Sequence, residues 1–241
     1  MVVGVSHRTA PLALRERLAI GRDHLPAMLQ RLRAEAGLAE AMLLSTCNRV
    51  EVYGRGDDGV DAQALDWFTA VAGGPARDEV VASVYRLIGA AAIRHAFRVA
   101  ASLESMVIGE PQILGQVKEA YQVAEEAGTL GSTLNALRNR SLAAAKRARS
   151  ETGIGKNAVS VSYVAVELAR KIFGELRDKN VLLVGAGKMS ELAARHLVRS
   201  GARASVLGGR TFERASELTI LAACGSASGA RAHRARAPPP P

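Results

Sequence analysis

Residues 46–49 read Thr-Cys-Asn-Arg and set a thiol among a hydroxyl, an amide and a guanidinium. A thiolate is a nucleophile and can carry an acyl group as a thioester. Arg49 can favour the thiolate or grip a substrate carboxylate. Thr46 and Asn48 carry donors suited to a polar substrate or a developing oxyanion. The competing reading of Cys47 is an inert spacer at a strand end, because free cysteines are among the most buried side chains. His95 lies on a helical stripe with Ile88, Ala92 and Val99, where a satisfied core histidine competes with a proton carrier. Gln112 and Gln116 are four apart, so they share a helix face. Beside Ser105 and Glu110 they can be solvated or can line a pocket for an amino-acid substrate.

A second chemistry is written around "VGAGKMS". Gly185 and Gly187 stand between a buried-strand pattern and a helix pattern, where glycine allows a tight turn and a close approach to pyrophosphate. Ser190 takes the place of the third glycine of the dinucleotide fingerprint. No ribose-binding Asp or Glu follows. Gly209, Arg210 and Thr211 stand there instead, and Arg210 suits the 2′-phosphate of NADP. A plain glycine turn in an α/β sheet is the alternative.

These residues need a scaffold. The chain opens with a short strand at 1–6, then helical patterns over 12–20 and 24–36 that stop at Gly37. Strands are expected at 41–46 and 50–54, and helices at 61–72, 89–103, 111–127, 132–150 and 158–173. Pro111 opens its helix at a first-turn position. From Lys179 the order is strand, helix, strand, helix, which argues for a parallel βαβ unit. The fold class is therefore α/β: an N-terminal α+β catalytic domain (1–152), a linker helix (153–178) and an incomplete Rossmann-type NADP-binding domain (179–221). Residues 222–241 form a biased Ala/Gly/Arg/Pro tail that reads as disordered.

The chain has 241 residues and a net charge of +9, three of whose arginines sit on the acid-free tail from 219 onward. Residues 127–150 hold Arg138, Arg140, Lys146, Arg147 and Arg149 without one acid. Such a run suits a polyanionic partner or a solvated helix face. No apolar stretch approaches the roughly 18–20 residues of a membrane span, and "MVVGVSHRTAP" is no signal peptide. Cys47 and Cys224 suggest no disulfide framework. A soluble, cytoplasmic protein without a membrane partner or a bound metal is expected.

Four stretches, "GVSHRTAPLALRE", "STCNRVEVYG", "SLESMVIGEPQILGQVKEAY" and "VLLVGAGKMSELAARHL", together resemble glutamyl-tRNA reductase in order and spacing. The resemblance implies reduction of the ester-linked glutamate of glutamyl-tRNA by NADPH to glutamate-1-semialdehyde, an early step of tetrapyrrole synthesis. It implies that Cys47 attacks the ester and holds a thioester, and that His95 matters for activity. It assigns substrate binding to Thr46, Cys47, Asn48, Arg49, Ser105, Glu110, Pro111, Gln112 and Gln116. It places the cofactor on Gly185, Ala186, Gly187, Lys188, Met189 and Ser190. The family is homodimeric, and the semialdehyde aminotransferase is an implied partner. A tRNA contact along 132–150 follows from charge alone.

The chain also departs from the family. Family-like text ends near Leu218, the dimerisation domain is missing, and Gly209 stands where an asparagine usually precedes Arg-Thr. The tail reads as a shifted frame or a truncated product, and with half the cofactor domain missing, weak or absent NADPH-dependent reduction is expected. Two other readings are a noncatalytic tRNA-binding fragment and a small-molecule NADP dehydrogenase resembling shikimate dehydrogenase.

Overall fold

The structure is a computed structural model and describes residues 1–73, 76–155, 161–177, 179–184 and 188–207. The chain divides into two compact units, Met1–Ala158 and Val159–Pro241. Among the described residues, no helix is long and apolar enough to cross a membrane.

The first unit is built on four antiparallel strands: β1 (Val2–Ser6), β2 (Glu40–Ser45), β3 (Arg49–Arg55) and β4 (Tyr85–Leu87). They lie in the order β2-β3-β1-β4. Seven helices accompany them: α1 (Leu12–Leu18), α2 (Leu25–Glu35), α3 (Val60–Ala72), α4 (Arg77–Ser83), α5 (Ala90–Ala100), α6 (Gln112–Glu126) and α7 (Ser132–Glu151). All five residues of β1 are buried, and so are six of the seven in β3. Successive side chains of a strand point to opposite faces, so both faces of the sheet are covered. Arg49, Glu51 and Tyr53 share one buried face while Val50 and Val52 share the other.

Most expected elements lie within a few residues of their expected bounds. Residues 77–87, which the pattern left unassigned, form α4 and β4. Seven helical residues and three extended ones are too short for a period to show. Ile88, placed on the stripe of His95, precedes α5 and is exposed.

The second unit contains α8 (Val161–Phe173), β5 (Asn180–Val184), α9 (Lys188–Arg199) and β6 (Arg203–Leu207). β5 and β6 pair in parallel, Asn180 opposite Arg203 and Val184 opposite Leu207, so α9 is a crossover helix as expected. Val166 of α8 packs with Leu176, Leu197 and Ala202 in one small core. The helix expected as a linker is therefore part of the second unit's packing. Gly185, Ala186, Gly187, Gly209, Arg210, Thr211, Cys224, the expected helix after Arg210 and the tail lie outside the described residues.

Candidate active site

β2 and β3 are joined by a two-residue tip, Cys47-Asn48. The amide of Thr46 donates to the carbonyl of Arg49 at 2.8 Å and closes the hairpin. The Thr46 hydroxyl accepts from the amides of Asn48 (3.2 Å) and Arg49 (3.1 Å). This is a local hydroxyl-to-backbone turn lock. The Thr46 hydroxyl expected to serve a substrate thus also holds the turn. The Cys47 thiol is free and exposed, which removes the inert-core reading. Two further contacts pin the tip. The His7 amide donates to the Asn48 carbonyl at 2.8 Å, and the Arg15 guanidinium bonds the Cys47 carbonyl. Arg15 was not singled out in the sequence, since on α1 it reads as one more charged helix residue. The Asn48 side-chain amide bonds none of the described residues and remains available beside the thiol.

Behind the tip lies a group that sequence reasoning missed. Glu51 is fully buried and accepts from Arg49 Nη1 at 2.6 Å, Tyr53 OH at 2.6 Å and Tyr85 OH. His95 Nε2 stands 2.8 Å from the same carboxylate and donates to it. Burial alone would raise the carboxyl pKa. The Arg49 charge and the bonds from His95 and Tyr53 outweigh it and bring the pKa down to about 2. Both tyrosines are pushed up, by burial first and then by the neighbouring carboxylate.

The register explains how this cluster fits. Gly4 of β1 stands opposite Glu51 on one side and Tyr85 on the other. A Cβ at Gly4 would lie 2.8 Å from Glu51 Cγ and 2.6 Å from the Val50 carbonyl oxygen. The missing side chain is what lets Tyr85 reach across β1 to the carboxylate. In sequence, Glu51 between two valines looks like a solvent-facing strand residue, and only the pairing with Gly4 marks it otherwise.

Arg49 itself is 2 % exposed, and its second Nη bonds the carbonyl of Glu104. The guanidinium expected to favour the thiolate or grip a substrate carboxylate is held by Glu51 and by the loop after α5. His95 is not a simple core residue either. It is half-buried, edge-on to Tyr85, and lines a shallow cleft with Ala91, Arg94 and Arg98.

The loop between α5 and α6 is organised by its own backbone. Ser102 adopts a left-handed φ of 63° and donates to the Glu110 carbonyl at 2.8 Å. Arg149 of α7 reaches the Ser102 hydroxyl and the same carbonyl, each at 2.6 Å. The Glu110 carboxylate accepts from the amides of Gln112 (2.8 Å) and Ile113 (3.0 Å) and from Ser105 Oγ (3.3 Å). It therefore caps α6. Ser105 and Glu110, expected beside a substrate pocket, are both buried and bonded to each other. Pro111 is exposed and immediately precedes α6, as its fixed φ suits. Gln112 and Gln116 are half-buried on that helix, and the Gln116 side chain bonds none of the described residues.

The basic run on α7 is less open than its sequence implies. Arg149 turns inward, Arg138 pairs with Glu125 at 3.0 Å, and Arg147 pairs with Glu151 at 2.9 Å. Arg140 and Lys146 are exposed without a described ion-pair partner. A cavity of about 510 Å³ opens elsewhere, lined by Gly54, Val60, Ile88, Ile93, Phe97 and Leu134 among others. It takes the Val2 and Gly54 ends of β1 and β3, opposite the ends that carry the thiol tip. Among the described residues no cluster of His, Cys, Asp and Glu could hold a metal ion.

In the second unit, β5 ends at Val184, and α9 begins at Lys188 and continues through Met189 and Ser190. A helix N-terminus is the setting a dinucleotide pyrophosphate needs.

Residues 3–152 match the family model "Glutamyl-tRNAGlu reductase, N-terminal domain", and residues 167–226 match "Shikimate / quinate 5-dehydrogenase". A glutamyl-tRNA reductase of Solibacter usitatus is 54 % identical over 92 % of this chain and 53 % of its own length. One from Geobacter sulfurreducens is 49 % identical over 90 % of this chain and 50 % of its own. The solved glutamyl-tRNA reductase of Methanopyrus kandleri superposes with a TM-score of 0.59 at 39 % identity, covering 92 % of this chain and 52 % of that one. The chain thus spans about half the length of the relatives it matches. With its N-terminal unit matched almost from end to end, the chain belongs to the glutamyl-tRNA reductase family.

Proposed function

We propose that this chain takes the glutamyl group of glutamyl-tRNA onto Cys47 and, with a reduced nicotinamide cofactor, yields glutamate-1-semialdehyde for tetrapyrrole synthesis. The observation that carries this reading is the exposed thiol on a two-residue tip whose backbone is held by Thr46, His7 and Arg15. A nucleophile on a rigid turn approaches a carbonyl carbon with little ordering left to do.

The Cys47 thiolate attacks the ester carbonyl carbon, the carbon–oxygen bond to the ribose breaks, and the leaving oxygen takes a proton. A glutamyl thioester remains on Sγ. When bound, NADPH supplies the hydride that converts the acyl carbon to an aldehyde and returns Sγ as thiolate. The cofactor would be held by Gly185, Ala186, Gly187, Lys188, Met189 and Ser190, with Arg210 for the 2′-phosphate of NADP. Asn48, Gln112 and Gln116 are the amides assigned to the glutamyl moiety, and His95 to proton transfer. Arg49 acts from behind the tip. The tRNA backbone would meet exposed cations, among them Arg140 and Lys146. An aminotransferase acting on the semialdehyde is the natural consumer.

The reading is tested with glutamyl-tRNA labelled in the glutamate. Mass spectrometry of the quenched wild type is expected to show the glutamyl adduct on Cys47, absent in Cys47→Ser. Ester cleavage that survives Cys47→Ser would refute Cys47 as the acyl acceptor, and tRNA binding without cleavage would leave only an RNA-binding module.

A further inference from the structure

A fully buried carboxylate is expensive unless donors surround it, and a sheet can be filled by apolar residues at no such cost. Glu51 meets four donors, and they do not belong to one place. Tyr53 and Tyr85 are neighbours within the sheet, whereas Arg49 and His95 lead outward. Arg49 closes the Cys47-Asn48 tip through its own amide and carbonyl, and its guanidinium also holds the loop after α5 by the Glu104 carbonyl. Glu104 is held in turn by Arg8 at 2.8 Å and by Arg98. His95 comes from α5, so one carboxylate joins the hairpin, the loop and the helix that carry the candidate site.

The ring geometry adds a chemical consequence. A carboxylate accepts and never donates, so the nitrogen facing Glu51 must carry the hydrogen. The neutral ring is therefore the Nε2–H form, and Nδ1 keeps its lone pair. We propose that Glu51 is the positioning residue of this site, fixing His95 in its Nε2–H form with Nδ1 as the working nitrogen and setting the Arg49 anchor behind the Cys47 tip. This rests on the acyl-transfer reading above. In it, the imidazolium gives its Nδ1 proton to the ribose oxygen as the ester bond breaks, which leaves the neutral Nε2–H ring. Glu51 stays ionised throughout and stabilises the imidazolium, as an orienting carboxylate does behind a catalytic histidine.

Two measurements on the full chain test the proposal. The first is the ¹⁵N spectrum of the His95 ring, which separates Nε2–H from Nδ1–H without any substrate. The wild type is expected to be Nε2–H, with the balance moving toward Nδ1–H in Glu51→Gln, whose amide can donate to Nε2. The second is the single-turnover rate of Cys47 acylation by glutamyl-tRNA, set beside the rate of Cys47 alkylation by iodoacetamide. Glu51→Gln is expected to slow acylation by about 10²-fold or more, the scale of a lost acid–base group, while alkylation is unchanged. Glu51→Asp, which keeps the charge, is expected to recover part of the rate. A wild-type ring in the Nδ1–H form overturns the proposal, and does so even if Glu51→Gln fails to fold. Acylation in Glu51→Gln at the wild-type rate, or acylation and alkylation slowed equally, overturns it as well. If the wild type takes no glutamyl group, the acyl-transfer reading fails, and the ring form still decides whether Glu51 positions His95.

Discussion

Protonating Glu51 should cost the first unit more stability than protonating any exposed acid, and Glu51→Gln isolates that cost. The folded carboxyl titrates near 2 against an ordinary value of 4.5. Each unit of difference is about 1.4 kcal/mol, so ionised Glu51 contributes about 3 kcal/mol once the solution is well above the unfolded value. The sign follows from the depressed folded value. The contribution is complete above the unfolded carboxyl pKa and disappears as pH falls toward the folded one. Glu40 and Glu104 are also held below the ordinary range, Glu40 by helix amides and Glu104 by Arg98 and Arg8, each against the opposing effect of burial. They titrate in both proteins and cancel in the comparison. The assay is urea unfolding followed by Trp67, the chain's single tryptophan, buried in α3 of the first unit. Between about pH 6 and pH 2 the wild type is expected to lose about 3 kcal/mol more than Glu51→Gln, at equal urea slopes. At neutral pH the variant is itself expected to be weaker by about 3–5 kcal/mol, because Arg49 is left buried without its counter-charge. Parallel stability curves for the two proteins would refute the ionised, charge-paired carboxylate.

Two further outcomes follow from the same unit. Gly4→Ala places a Cβ 2.6 Å from the Val50 carbonyl oxygen and 2.8 Å from Glu51 Cγ, so β1 and β3 must part. A loss of about 1–3 kcal/mol or more is expected in urea unfolding, and a stability equal to wild type would remove the steric account of Gly4. Arg149→Met deletes two charge-assisted bonds to Ser102 and Glu110, which hold the left-handed turn at Ser102. A loss of about 2–3 kcal/mol is expected, with faster amide hydrogen exchange over residues 101–111; unchanged exchange there would show that the turn stands without Arg149.

The amino-acid sequence by itself determined the class of the fold, the order of nearly all its elements and the residue on which the chemistry was expected. Those features are local: an apolar period, a glycine stop, a proline before α6, and a cysteine in a polar tetrad at the end of a strand. Tertiary structure decided what the polar residues do. Thr46 and Glu110 satisfy backbone amides a few residues away, which depends on how the chain turns there. Arg149 read as one of five cations on a basic helix, yet it turns inward because a carbonyl 39 residues earlier in the chain needs a donor. Glu51 carried no signal at all. Its burial depends on Gly4 facing it, on Tyr85 reaching over that glycine, and on α5 bringing His95 from 44 residues away. Pattern along a chain reports which residues avoid water, but only pairing across strands and helices reports where a charge can be buried with its partners.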